Sequence, residues 1–146
     1  MGNRRRSREL AMQVLFQMDI NGDESTEALD LFCRHFEVPK KAKAFFLELV
    51  AGVRDRRDEI DRLIQQSSDN WKISRMSGMD RNIIRVAVYE LLHCRDIPAK
   101  VSINEAIDIG KKFGTEQSPG FINGILDNIN ISLNEKGTTS APPESS

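Results

Sequence analysis

Long apolar runs are missing from this sequence. No stretch approaches the roughly 18 consecutive apolar residues of a membrane helix, and the N-terminus lacks the apolar core of a secretory signal. A cytosolic protein without membrane contact is therefore expected. Cysteine is scarce, with only Cys33 and Cys94, and both are expected as buried free thiols among apolar helical neighbours. Histidine is equally scarce. Cys33 with His35 and His93 with Cys94 are the right residue types for zinc, but the spacings are not those of a zinc knuckle, and Cys33 and His35 point about 200° apart on a helix. No Gly-rich phosphate loop, paired-histidine metal motif or Gly-x-Ser-x-Gly elbow is present, so neither a metal, a cofactor nor catalysis is expected. An excess of one charge is missing too: the formal net charge is -1. Strand-like alternation is absent throughout, which points away from a sheet.

The charge that is present is unevenly placed. Arg4, Arg5, Arg6 and Arg8 make a positive pole at the N-terminus. On a helix Arg4 and Arg8 share one face, and Arg5 and Arg6 fan out to its sides. Such a run is either a phosphate-binding surface, since guanidinium forks fit oxyanions and stack on bases, or a solvated, frayed charge run. Further along, Asp55, Asp58, Glu59 and Asp61 alternate with Arg54, Arg56, Arg57 and Arg62 and read as a solvated helix face rather than a catalytic cluster.

Helical periodicity organises the rest. Leu10, Val14, Leu15 and Met18 predict a first helix over about 4–20, stopped by Asn21-Gly22. Leu29, Phe32, Cys33 and Phe36 predict a second, ended by Val38-Pro39. From Ala42 the stripe runs through Phe45, Phe46, Leu49, Val50 and Val53 to Ile60, Leu63 and Ile64, one long helix with a kink near Gly52. Trp71–Met76 suggests a short turn or helix. From Met79 to Cys94 apolar residues cover almost every face, marking a central buried helix. Ser102 and Glu105 form a capping-box pattern for a helix over about 103–113 that stops at Gly114. Ser118-Pro119 supplies an N-cap and an N1 proline for a last helix striped by Phe121, Ile122, Ile125, Leu126, Ile129 and Leu133. Gly120 and Gly124 are expected to admit a neighbouring helix. The chain reads as one all-α domain over 1–134, with a disordered polar tail at 135–146.

Four segments in order resemble the NusB family of transcription antitermination factors. They are Arg4 to Glu9 with Met12 to Phe16; Arg81 to Leu92, RNIIRVAVYELL; Lys100 to Gly114, KVSINEAIDIGKKFG; and Ser118 to Asp127, SPGFINGILD. The resemblance implies an all-α fold of about seven helices in two small bundles. It also implies binding of single-stranded boxA RNA together with NusE, a small-subunit ribosomal protein. In that role the family helps RNA polymerase, in an elongation complex with other Nus factors, to read through terminators, chiefly in ribosomal RNA operons.

The resemblance places an RNA surface on Arg4, Arg5, Arg6 and Arg8, on Lys100, Lys111 and Lys112, and on Gln117, Ser118 and Phe121. Single-stranded RNA is held by phosphate neutralisation plus base stacking on aromatics, so Phe121, in the first turn of the last helix, is the candidate ring. Exposed backbone N–H groups of that turn add a field for phosphate. Periodicity alone also permits Phe121 as core. Gly120 and Gln117 depart from the charged or large polar residue, and from the acidic residue, frequent in relatives at those positions. Phe16, Asp80 and Glu90 are expected to meet NusE, an acidic and aromatic patch suited to a basic protein. Asp80 reads equally as a first-turn helix charge and Phe16 as core. A homodimer over the same region stays open. The rival from another class, an RNA-modifying enzyme carrying a similar helical domain, is disfavoured by the short polar segment after residue 134.

Overall fold

Helix α1 (Gly2–Asn21) ends where Gly22 adopts a φ of 65°, a left-handed turn that a glycine makes without a Cβ penalty. The computed structural model describes residues 2–68 and 70–140, with side chains as far as 135. Six further helices follow: α2 (Thr26–His35), α3 (Lys40–Asp55), α4 (Arg57–Gln66), α5 (Gly78–His93), α6 (Ala99–Phe113) and α7 (Ser118–Ser140). A single 3-10 turn, Ile73–Arg75, lies between α4 and α5, and the described residues contain no strand. Two starts carry hydroxyl caps: Ser25 Oγ accepts the Ala28 N–H at 3.1 Å, and Ser77 Oγ accepts the Asp80 N–H at 3.1 Å.

Helix α5 is the spine. Its residues Asn82 to Glu90 are buried without interruption, as a helix apolar on nearly every face requires. Helices α1, α3, α4, α6 and α7 all pack against it around one continuous core, with α1 also packed on α3 and α6 on α7. Phe46, Leu10, Leu15, Leu49, Ile84 and Leu126 are among its fully buried members, each contributing about 1.5–3 kcal/mol by burial. Among the described residues no helix is long and apolar enough to cross a membrane.

Several boundaries differ from the sequence expectation. The long helix is two: α3 and α4 meet at Arg56, whose φ of -116° and ψ of 25° break the spiral while its N–H still bonds the Gly52 carbonyl. Gly52 is no kink. It is the point where α3 meets the Tyr89 ring of α5, and a Cβ there would run into that ring. Helix α6 starts at Ala99, not 103, after Pro98 in an extended conformation. Ser102 and Glu105 are consequently not a capping box; Ser102 is buried and donates its O–H to Glu90 Oε1 at 2.7 Å. Gly120 and Gly124 admit no helix, since nothing lies within 4 Å of a Cβ at either. The close approach is made by Gly110, where a Cβ would sit 2.7 Å from Ile122 Cδ1. Cys33 is half-buried rather than buried, while desolvation and the nearby Glu48 push the buried Cys94 thiol up to about 12. Helical backbone continues to Ser140, into the segment expected as a polar tail. The remainder of that tail, 141–146, lies outside the described residues.

A part-buried polar knot fastens α1, α4 and α5. Arg85 donates to Asp61 at 2.8 and 2.9 Å and to Asp19 at 3.2 Å. Asp19 also accepts from Arg81 at 2.8 Å and Asn82 at 3.0 Å. Arg81 reaches on to the carbonyls of Ile73 and Met76, which pins the 3-10 turn to α5. Burial alone would raise the Asp19 carboxyl, but the hydrogen bonds from Asn82 and Arg81 and the Arg85 charge outweigh it and hold it below its usual range.

Candidate nucleic-acid interface

The arginine run lies on the first turns of α1, and the structure assigns each guanidinium a different partner. Arg4 and Arg8 share a face, as their spacing requires, and that face meets Phe45 of α3: Arg4 Cζ lies 4.4 Å and Arg8 Cζ 5.4 Å from the ring centroid. Arg5 forks onto Glu105 of α6 at 3.1 and 2.6 Å and touches Asp108 at 3.0 Å. Arg6 donates to Glu9 at 3.3 Å. The run is therefore neither a frayed tail nor a row of free cations. It is a set of ion pairs, with Arg4 exposed and resting on a ring.

Arg8 corrects the expectation most sharply. It is 4% exposed and bidentate to Glu90, which is 1% exposed, at 2.8 and 2.9 Å, with Glu105 at 3.4 Å. Neither residue is available to a ligand: Arg8 leaves the RNA surface and Glu90 leaves the partner surface. A charge removed from water requires a matched, hydrogen-bonded opposite charge, and each supplies it to the other, with the Ser102 hydroxyl completing the Glu90 shell.

Helix α6 separates the two ends of the proposed surface. Glu105, Asp108 and Lys112 lie on its flank toward α1, where Lys112 Nζ reaches both Glu9 oxygens at 3.3 and 3.2 Å. Its other flank receives Ile122 of α7 against Gly110. The N-terminus of α1 and the first turn of α7 thus dock on opposite flanks of one helix. Lys100, Asn104 and Lys111, all exposed, fall on the ridge between them.

At the start of α7, Ser118 is 1% exposed and its Oγ accepts the Thr115 N–H at 2.9 Å. It is the first helical residue rather than the cap, and it is withdrawn from any ligand. The field expected from free N–H groups is reduced, because Ser118 donates to the Thr115 carbonyl, Phe121 donates to the Gln117 carbonyl at 3.1 Å, and Pro119 has no N–H. Gln117 is exposed beside Thr115. Phe121 is half-buried and forms a T-shaped pair with Trp71, at 6.3 Å between centroids and 78° between planes. Two aromatics near these residues carry no site role in the sequence reading: Phe45, expected in the core stripe, is half-buried under Arg4, and Trp71, expected only in a short turn or helix, is exposed. Adjacent Phe45 and Phe46 were a usable signal: neighbours about 100° apart on a helix cannot both face the core centre.

Of the three residues expected to meet a protein partner, two lie together where α1 meets the start of α5. The Phe16 ring lies against Gly78 at the start of α5, where a Cβ would sit 2.8 Å from Phe16 Cε1. Asp80 is two residues further on, half-buried, and its Oδ1 is buried without a hydrogen-bond partner among the described residues. Glu90 lies toward the far end of α5.

One carboxylate of α6 is itself perturbed. The hydrogen bond from Arg5 is the largest influence on Glu105 and holds its carboxyl below the usual range. Glu105 and Asp19 are both lowered on folding, so their stabilisation is complete above the ordinary carboxylate range of about 3.9–4.3 and is lost as pH falls through the lowered folded values. A series of thermal melts is expected to show Tm falling below about pH 4. Asp19→Asn should flatten that limb; an unchanged acid limb in the variant would remove Asp19 as a contributor.

The architecture is that of a small all-α protein with a cluster of ion pairs joining its first helix to α6. The sequence profile of the NusB family matches residues 5–130, and the chain belongs to that family. Relatives carry the description transcription antitermination protein NusB. One from Desulfatibacillum aliphaticivorans is 57% identical over 136 residues, covering 93% of this chain and 95% of its own length. Another, from Geobacter sulfurreducens, is 49% identical over 138 residues, covering 94% and 100%. Among solved structures, T. maritima NusB aligns with a TM-score of 0.79 at 39% identity, over 88% of this chain and 90% of that one. A structure of antitermination factors NusB and NusE in complex with double-stranded RNA aligns with a TM-score of 0.80 at 25% identity, over 90% and 98%.

Proposed function

We propose that the chain acts as a transcription antitermination factor that binds single-stranded boxA-type RNA together with NusE. It thereby helps RNA polymerase, in an elongation complex with other Nus factors, to read through terminators, chiefly in ribosomal RNA operons. One observation carries this reading: where α1 meets α3 a guanidinium rests on a ring, Arg4 on Phe45, an aromatic pair, Phe121 with Trp71, stands at the start of α7, and α6 packs between α1 and α7. Exposed Lys100 and Lys111 lie between them. Alternating cation and π surfaces suit a strand that presents phosphates and unstacked bases by turns. The solved relative holding NusE and RNA supports the choice of partners. Phe16 and Asp80, at the junction of α1 and α5, are the contact points for NusE, an aromatic and an acid suited to a basic protein.

The test is a titration of labelled boxA-type RNA, against a scrambled strand, with and without NusE and across salt concentrations. Tighter binding of the boxA strand when NusE is present is expected. With Arg8 buried, about three or four phosphate contacts remain from Arg4, Arg5, Lys100 and Lys111, giving a slope of log K on log salt of about -2 to -3. Phe121→Ala should cost about 1–3 kcal/mol of RNA affinity with the helical circular dichroism intact. A flat salt response, with boxA and scrambled strands binding equally, contradicts the reading.

A further inference from the structure

We infer that Trp71 is a second base-stacking residue of this interface, forming with Phe121 a two-walled step that receives one unpaired base; the inference rests on the RNA-binding reading above. Trp71 is 51% exposed, the only tryptophan in the chain, and its largest aromatic side chain. An indole meant only as a plug over Phe121 would lose most of its surface to the core. This one keeps half of it in solvent and offers Phe121 a perpendicular contact in place of a stack.

The segment that carries the indole is held from three sides. The Trp71 carbonyl accepts from Gln65 Nε2 at 3.0 Å and from Ser68 Oγ at 3.1 Å. The same Gln65 side chain turns its Oε1 to the Ile73 N–H at 2.9 Å. One glutamine from the last turn of α4 thus satisfies backbone groups on both sides of Lys72, and Arg81 grips the Ile73 and Met76 carbonyls just beyond. A ring fixed in this way is oriented before the ligand arrives, which lowers the ordering cost of binding.

Two rings at 78° make a corner: a planar base can stack on one face while its rim meets the other ring. The ligand class is an unpaired nucleobase of any identity, since every base has a π-face. Lys72, exposed next to Trp71, and Lys111 on the neighbouring ridge of α6 are the cations for the flanking phosphates.

Because Trp71 is the sole tryptophan, its emission reports the site directly. A boxA-type single-stranded oligoribonucleotide carrying a fluorescent label is titrated with the full chain, following both label anisotropy and tryptophan emission. Emission is expected to be quenched with the same midpoint as the anisotropy rise. Trp71→Ala should weaken binding about 10-fold or more, Trp71→Phe should keep most of the affinity, and Gln65→Ala, which frees the segment without touching the ring, should fall between them. If Trp71→Ala fails to fold, wild-type quenching and Trp71→Phe still decide. Anisotropy reporting tight binding with unchanged emission and an unaffected Trp71→Ala overturns the inference and leaves the RNA reading standing. No anisotropy change at all removes both.

Discussion

Arg8→Ala is expected to behave as a folding mutation, with Tm lowered by about 10–20 °C, whatever it does to RNA binding. Truncation leaves the Glu90 carboxylate 1% exposed with only the Ser102 hydroxyl for company. Breaking one side of a buried, bidentate pair costs about 3–5 kcal/mol, a large part of the roughly 5–15 kcal/mol that holds a domain together. Removing both charges is different in kind, because no unpaired ion remains. Arg8→Met with Glu90→Leu should therefore recover much of the loss in a urea or thermal melt. An Arg8→Ala protein that melts normally but fails to bind RNA would return Arg8 to the surface.

Gly52→Val is expected to be the second most damaging change. A Cβ at Gly52 falls inside the Tyr89 ring. The ring cannot swing aside freely: its hydroxyl donates to Glu48 Oε2 at 3.3 Å and its face tilts against His93 at 5.4 Å. Helices α3 and α5 must part instead, at a cost of about 1–3 kcal/mol for overpacking. The urea midpoint should fall with an unchanged slope, and Gly52→Val with Tyr89→Leu should restore part of it. A single variant as stable as the parent would mean that the two helices separate at little cost.

Elements whose identity rests on local periodicity were legible in the sequence. Helix α5 announces itself through Ile83, Ile84, Val86, Ala87, Val88 and Leu91, and the structure buries it as the spine. Pairings across the chain were not legible. Helical spacing puts Arg4 and Arg8 on one face, but nothing local says that this face meets Glu90, 82 positions later. Ser102 and Glu105 show the same limit, because the residue types that make a capping box also make tertiary hydrogen bonds, and here they face Glu90, Arg5 and Arg8. Glycines divide by what faces them. Gly120 looks out to solvent and Gly52 looks into a ring, a difference no spacing carries. The resemblance singles out Phe121, whereas its ring partner Trp71, in a non-periodic connection, has no pattern to mark it.

The carboxylates around Arg5, Arg6 and Lys112 have one more consequence. Arg5 holds both Glu105 and Asp108, and Glu9 is shared by Arg6 and Lys112, so a phosphate seated on any of these cations competes with a carboxylate already there. The protein carries its own counter-anions on α1 and α6. On the proposed RNA-binding reading, such a latch would weaken loosely apposed polyanions, bulk nucleic acid included, relative to a strand whose other contacts keep it in place while the exchange is made.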